Sequence, residues 1–279
     1  MSLPSDPLNW FEETLRLTGV AHCGPEPEGD AAFLGRRVGL LNGSSWITPW
    51  ASYFGRRYLP GAHLLNVGNE AVQINFMEAH ARGEPTPPAS NVAAFVRYAR
   101  DLAELGGVEM ILITCSTMNR SYPAVQEAMQ PYGIPVVQID RPMMERAVHH
   151  GGRTLVVATH GPTVASTQAL LRETAAETGA TIAFDGVTVE EAWHRLASGD
   201  VAGHNETLAR SIRERQAAQR IDSVVLAQLS MTVFLLNHPD PVAEFGVPVL
   251  TSGQCGFERV ADVLRRAPKA RERMSAAHG

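Results

Sequence analysis

The chain has 279 residues, of which 44% are hydrophobic and 19% are charged, and its formal net charge is −5. This composition is typical of a globular protein, and with no basic block a nucleic-acid partner is not expected. No apolar run approaches a membrane span and no leader is recognised at the start, so we expect no membrane association. Three cysteines, Cys23, Cys115 and Cys255, are too few for a disulfide framework and show no zinc-binding spacing, which favours a reduced, cytoplasmic protein.

In chain order, an amino-terminal helix and a loop rich in glycine and proline precede two α/β segments. Ser5 or Asp6 caps a helix predicted over 5–18, and the arm that follows either stays loose or packs on the core or on a second subunit. Strands are predicted over 37–41, 62–67, 109–113, 134–139, 153–159, 181–184, 223–228 and 247–251, with helices over 92–105, 141–150, 188–198, 205–220 and 256–267. A further helix is opened by Ser121 and Pro123 and closed by Gly133, and another follows His160–Thr163 with Gly179 as its end signal. The expected domains are an extension over 1–35, a first lobe over 36–140 plus 252–279, and a second lobe over 141–251.

The third strand carries the main candidate for chemistry. The apolar run Met110–Ile113 leads to Cys115, as expected for a buried parallel strand that delivers a thiol at its carboxyl end. Ligands of open α/β sheets bind at these ends, so we predict that Cys115 is reactive rather than an inert buried cysteine. Polar side chains that can bind a carboxylate or an oxyanion follow it: Ser116, Thr117 and Asn119.

The two halves repeat each other without a gap over some forty positions. From Cys115 to Gln228 the offset is 113, and the same offset pairs Met118 with Met231 and Pro135 with Pro248. This period is far too long for a solenoid, so duplication of an α/β lobe is a better interpretation than chance similarity. In a duplicated fold, Cys115 and Gln228 would face each other across a cleft.

Two such lobes, with a Cys-Ser-Thr sequence after the third strand, resemble the aspartate/glutamate racemase superfamily. This superfamily includes amino-acid and hydantoin racemases, maleate isomerases and arylmalonate decarboxylase. The resemblance covers roughly residues 36–267 and leaves 1–35 outside. Three segments carry it: Cys115-Ser116-Thr117, Ile139–Met143 with Glu145 and Ala147, and Ala158-Thr159.

The resemblance implies an enzyme that uses neither metal nor pyridoxal phosphate and places a cysteine on each side of the substrate. One thiolate removes the α-proton and the other thiol returns a proton to the opposite face. Cys115 matches the first cysteine, but Gln228 stands where the racemases have the second. Because glutamine cannot carry a proton near neutral pH, this departure argues against the two-thiol mechanism.

His160 is the acid/base group predicted to replace the missing cysteine, since it lies at an equivalent strand end of the second lobe. Its alternative roles are helix capping or a position outside the cleft. Other polar residues at strand ends are predicted to bind substrate, with ordinary turn and capping chemistry as the alternative. They are Asn42, Ser44 and Ser45 after the first strand, Thr159, Gly161 and Thr163 after the fifth, and Gln228 and Ser230 after the seventh.

We therefore expect an α/β fold of two pseudo-symmetric Rossmann-like lobes with parallel sheets and an active site between the lobes. The predicted function is a cofactor-independent isomerase or racemase that acts on a small carboxylate through the Cys115 thiol, with His160 as second catalytic residue. The alternatives are a single-cysteine decarboxylase or lyase and a non-catalytic carboxylate-binding protein. A homodimer or higher homo-oligomer is expected.

Overall fold

A computed structural model describes residues 6–20 and 28–267 of the chain. Two compact units are present: the second unit is Ile139–Gly256, and the first unit comprises the described residues before Ile139 together with those from Phe257 onward. Asp6 caps the first helix by accepting hydrogen bonds from the backbone N–H groups of Leu8 and Asn9. The other predicted cap, Ser5, lies outside the described residues, as does Cys23.

The first unit contains a four-stranded parallel sheet in the order β2-β1-β3-β4. Its strands are β1 (Arg37–Leu41), β2 (His63–Val67), β3 (Met110–Ile113) and β4 (Val136–Gln138). The residues Leu41, Val67, Ile113 and Gln138 are paired in register, so all four strands end at one edge of the sheet. The helices are α1 (Pro7–Thr18), α2 (Thr48–Tyr58), α3 (Glu70–Ala81), α4 (Ala89–Glu104) and α5 (Tyr122–Met129).

The second unit repeats this topology with its own parallel sheet in the order β6-β5-β7-β8. Its strands are β5 (Arg153–Ala158), β6 (Ala183–Thr188), β7 (Ser223–Leu226) and β8 (Val249–Thr251). The helices are α6 (Arg141–His150), α7 (Gly161–Glu177), α8 (Glu190–Ala197), α9 (Val201–Ala218), α10 (Phe234–Asn237) and α11 (Pro241–Phe245). The last helix, α12 (Ser252–Arg266), begins in this unit, and its residues from Phe257 belong to the first.

The predicted α/β class with two parallel sheets is confirmed, and the two central strands of each sheet are buried on both faces. In β5, Leu155 and Val157 join one apolar cluster while Val156 joins another, as the alternation of side chains along a strand requires. The carboxy-terminal helix is tied to the first unit by Arg36, whose guanidinium donates to the carbonyl of Leu264 at 2.7 Å and pairs with Glu109 at 3.0 Å.

Two helices of the first unit, α2 and α3, were not predicted from the sequence. Helix α2 contains Gly55 and several aromatic residues, which have weak intrinsic helix propensity. Packing holds it instead: a Cβ on Gly55 would stand only 2.5 Å from Leu64 Cδ1 and 3.3 Å from Phe257 Cε1, so the helix lies closely against both side chains.

His204 in α9 makes the folded state sensitive to acid. The side chain is fully buried, its Nδ1 lies 2.8 Å from the carbonyl oxygen of Ala192, and its Nε2 has no hydrogen-bond partner. The Nδ1–H tautomer is therefore the one that fits, and burial lowers the pKa of His204 below its ordinary value of 6.5, although the Ala192 carbonyl opposes this.

We predict that the free energy of unfolding falls as the pH drops below about 6.5, because the unfolded chain then binds the His204 proton more tightly than the folded chain. Thermal unfolding at about pH 7.5 and 5.5 measures this effect. The drop should be smaller in His204→Gln, whereas replacing the exposed His80 by Gln should leave it unchanged. An equal drop in wild type and His204→Gln would contradict the assignment.

Candidate active site

Cys115 lies two residues beyond the end of β3, at the carboxyl edge of the sheet of the first unit. The thiol is half-buried, and its Sγ lies 3.1 Å from Thr117 Oγ1. A short 3-10 helix over Ser116–Ser121 brings the Thr117 hydroxyl back to the sulfur. A hydroxyl at this distance can donate a hydrogen bond to a thiolate, which favours the ionised form.

Gly43 lets the loop after β1 approach this sulfur. A Cβ at Gly43 would stand well under 3.0 Å from Cys115 Sγ and 3.2 Å from Cys115 Cβ. Gly68, after β2, is equally confined: a Cβ there would lie 2.8 Å from the carbonyl oxygen of Ser44. Any larger residue at either position would have to move its neighbours, so the two glycines allow three loops to converge beside the thiol.

A chain of polar side chains links the strand ends beneath Cys115. Thr114 Oγ1 donates to Asn42 Oδ1 at 2.6 Å, and Asn42 Nδ2 donates to Asn66 Oδ1 at 3.0 Å. Asn66 in turn donates to Ser52 Oγ at 3.1 Å. Asn42 is fully buried and uses both ends of its amide in this chain. The bonds fix the positions of β1, β2 and β3 relative to one another at the edge that carries the thiol.

Glu70, at the start of α3, had no predicted role, yet it holds the loop after β1. Its carboxylate accepts hydrogen bonds from the Ser45 hydroxyl and from the Ser45 backbone N–H, the latter at 3.0 Å. The hydrogen bond from the Ser45 hydroxyl lowers the pKa of Glu70, so this carboxyl is ionised at neutral pH. Three further predicted residues of this unit have buried side chains: Ser44, Ser116 and Asn119.

A cavity of about 410 Å³ lies in the first unit beside these loops. The polar side of α2 forms one wall with Thr48, Ser52 and Arg56, and β2 forms another. The Arg56 guanidinium donates to the backbone carbonyl of Arg16 at 3.1 Å, so it also holds the end of α1. Ser45 and Gly68 line the cavity, which places it next to the loops around Cys115.

In the second unit, Gln228 lies two residues beyond the end of β7, and its orientation is fixed. Its Oε1 accepts hydrogen bonds from the backbone N–H of Thr159 at 2.7 Å and from Thr159 Oγ1 at 2.9 Å. A backbone N–H can only donate, so the atom facing it must be the amide oxygen. Within the part of the chain that the structure describes, Nε2 of Gln228 has no protein acceptor. Gln228 can therefore donate hydrogen bonds through Nε2, but its amide cannot carry a proton as a thiol does.

His160 precedes α7 at the end of β5 and makes no side-chain capping bond to that helix. Its ring lies against Trp193 with 4.7 Å between centroids. Burial lowers the pKa of His160 below 6.5, while the charge of Glu190 acts in the opposite direction. The imidazole is consequently neutral at pH 7 and can accept a proton. Of the other residues predicted here, Thr159, Thr163 and Ser230 are buried and Gly161 is exposed.

Cys255 is the second cysteine that the structure describes, and its setting differs from that of Cys115. It is fully buried in an apolar cluster of the second unit, with Arg146 Nη1 3.6 Å from its sulfur. Over residues 6–20 and 28–267, no group of three His, Cys, Asp or Glu side chains is arranged to hold a metal ion. No helix in these same ranges has the length and apolar character needed to cross a membrane.

The fold has clear counterparts among solved structures. Aspartate racemase from Picrophilus torridus matches with a TM-score of 0.56 at 17% identity, over 86% of this chain and 98% of that one. Escherichia coli glutamate racemase, bound to L-glutamate and the activator UDP-MurNAc-Ala, gives 0.55 at 21% identity, over 84% of each chain. Allantoin racemase from Klebsiella pneumoniae gives 0.54 at 18% identity, over 82% of this chain and 87% of that one. At such identities the likeness shows that the fold is shared.

Membership of a family follows from the sequence itself. The profile of the Asp/Glu/Hydantoin racemase family matches residues 69–260, which is more than half of the chain. The chain therefore belongs to the Asp/Glu/Hydantoin racemase family, as the resemblance predicted, and this membership supports an isomerase activity. No protein of curated function matches the chain.

Proposed function

We propose that this chain is a cofactor-independent isomerase that moves a proton at the carbon next to a carboxylate, with the Cys115 thiol as a proton carrier. The observation that carries the proposal is the setting of Cys115. This half-buried thiol lies at the carboxyl edge of a parallel sheet, with the Thr117 hydroxyl at 3.1 Å and Gly43 against its sulfur. In contrast, Cys255 is buried and packed among apolar side chains.

The proposed reaction uses His160 as the second proton carrier. Since His160 is neutral at pH 7, it takes the α-proton, and the electron pair of the broken C–H bond moves into the carboxylate as an enediolate. The Cys115 thiol then gives its proton to the same carbon. One turnover leaves His160 protonated and Cys115 as thiolate, which is the pair that the reverse direction needs. General acid–base groups of this kind each contribute about 10²–10⁴-fold to the rate.

The neutral polar groups of the two sheet edges are proposed to bind the substrate. Gln228 Nε2 would donate to a carboxylate oxygen, since its amide oxygen is held by Thr159. The remaining groups proposed for binding are Asn42, Ser44, Ser45, Ser116, Thr117 and Asn119 in the first unit, and Thr159, Gly161, Thr163 and Ser230 in the second.

A decarboxylase or lyase is the second candidate, and the fixed orientation of Gln228 favours it. With a hydrogen-bond donor in place of a thiol, only one face of the carbon would have a cysteine to protonate it. In that reaction the bond from the α-carbon to one carboxylate breaks, CO₂ leaves, and the Cys115 thiol protonates the resulting enediolate. No group on the opposite face is then needed.

The experiment is incubation with a panel of small mono- and dicarboxylates in D₂O. Proton NMR measures exchange at the α-carbon, chiral chromatography measures inversion, and a coupled assay measures CO₂. Exchange with inversion supports the isomerase, and CO₂ release supports the decarboxylase. Binding without turnover, unchanged in Cys115→Ala, would show a carboxylate-binding protein instead. Light scattering tests the homodimer or higher homo-oligomer expected from the sequence.

We expect the protonation of His160 to set the acid limb of the pH–rate profile. Because its pKa lies below 6.5 and it must be neutral to accept a proton, kcat/KM should stay high at pH 6.5 and fall only at lower pH. His160→Gln should lose about 10²-fold or more in kcat/KM and should also lose this limb. If the two groups act on one substrate, the losses of His160→Gln and Cys115→Ala should be strongly non-additive in the double variant. An unchanged limb in His160→Gln would assign it to another group.

A further inference from the structure

Gln73, on α3, and the Cys115 thiol both border the space in front of Gly43. A Cβ added at Gly43 would stand 3.6 Å from Gln73 Oε1 and closer still to the Cys115 sulfur. Gln73 is half-buried, so its amide is not sealed in the core. No sequence pattern singles Gln73 out, since it lies within a helix that was not predicted.

The Gln73 amide is uncommitted, unlike the polar side chains near it on α3. Asn69 caps the helix, Glu70 holds Ser45, and Asn75 donates to Ser90 and Asn91. Among the residues that the structure describes, the side-chain amide of Gln73 has no hydrogen-bond partner. A half-buried amide with open donors and an open acceptor, next to a thiol, is suited to a ligand.

We propose that Gln73 is a substrate-binding residue, whose side-chain amide hydrogen-bonds the substrate oxygen next to the carbon that reacts with Cys115. This inference rests on the proposed function, since it requires Cys115 to be the reacting thiol. No protein group fixes which end of the amide faces the thiol, so either end can turn to the ligand and Nε2–H can donate to an oxygen that gains negative charge.

The neutrality of Gln73 matters for the thiol as well as for the substrate. A carboxylate at this place would repel both a thiolate and an anionic substrate, because like charges disfavour the ionised form of a neighbouring group. An amide supplies hydrogen bonds without this cost. Loss of one hydrogen bond to a developing oxyanion lowers kcat by about 10²–10³-fold in other enzymes.

The test compares Gln73→Met, which keeps the shape and removes the hydrogen bonds, with Gln73→Glu, which adds a charge. Gln126→Met, at an exposed position of α5, is the matched control. Two readouts are measured: kcat and KM on a substrate found in the carboxylate panel, and the pH dependence of Cys115 alkylation by iodoacetamide. The second readout needs no substrate, and thermal unfolding checks that each variant is folded.

We expect Gln73→Met to lower kcat/KM by about 10-fold or more and to leave the alkylation midpoint unchanged. Gln73→Glu should raise that midpoint, because its charge disfavours the thiolate. If Cys115→Ala is inactive, then full activity in Gln73→Met, or an unchanged alkylation midpoint in Gln73→Glu, overturns the assignment of Gln73. Full activity in Cys115→Ala overturns the proposed function instead, so the two failures are distinct.

Discussion

Replacing Cys115 by alanine should lower kcat by about 10²–10⁴-fold, because the substitution removes the group proposed to carry a proton to the substrate carbon. The side chain is half-buried and packs against the apolar cluster of the first unit, whereas Cys255 is fully buried, so the loss of the Cys115 sulfur should cost less stability than the loss of the Cys255 sulfur. Enzyme assays on the substrate found in the carboxylate panel, paired with thermal unfolding, separate the loss of activity from a loss of fold.

Cys255→Ala is the matched control for this prediction. Cys255 is fully buried, so removing its sulfur leaves a small cavity and should lower the unfolding midpoint more than Cys115→Ala does. Its activity at temperatures below unfolding should nevertheless stay close to that of wild type. The reverse pattern, with activity lost in Cys255→Ala and kept in Cys115→Ala, would contradict the assignment of Cys115.

Gly43→Ala should have an effect of similar size although it replaces none of the proposed catalytic groups. The new Cβ would stand well under 3.0 Å from the Cys115 sulfur, so the thiol or the loop must move. A displacement of about 1 Å in a catalytic geometry can cost about 10²-fold in rate. The backbone of Gly43 does not lie in the left-handed region, so alanine is compatible with its conformation.

A double variant separates steric displacement of the thiol from a general disturbance of the loop. In the Cys115→Ala background the sulfur is gone, so Gly43→Ala should lower the unfolding midpoint less than it does in wild type. An equal decrease in both backgrounds, or full activity of Gly43→Ala in the wild-type background, would show that the contact between Gly43 and the sulfur does not position the thiol.

The sequence allows the two parallel sheets and the placement of Cys115 at a strand end to be predicted, since both depend on local patterns. Strands such as Met110–Ile113 and Arg153–Ala158 are nearly continuous apolar runs, as expected for strands buried on both faces. The repeat of 113 positions also predicts that the sheet order is the same in both units, and the orders β2-β1-β3-β4 and β6-β5-β7-β8 agree with it.

The side-chain partners of the candidate site could not be predicted from the sequence, because they depend on contacts between distant positions. Helix α3 has buried Val72 and Phe76 but exposed Ile74 and Met77, so its apolar residues do not define one face and the helical period is blurred. Without that helix, Gln73 could not be placed near Cys115. The orientation of Gln228 likewise depends on Thr159, which lies 69 positions away in the chain.

The reaction of the folded chain with iodoacetamide at about pH 8 tests the reactivity of Cys115 most directly. Peptide mapping by mass spectrometry gives the rate at each cysteine, and the activity is followed in the same samples. Cys115 is predicted to be alkylated well before Cys255, with activity lost in step with its modification. If Cys115 stays unmodified in the folded chain, or if activity persists after it is fully alkylated, Cys115 is not the reacting thiol.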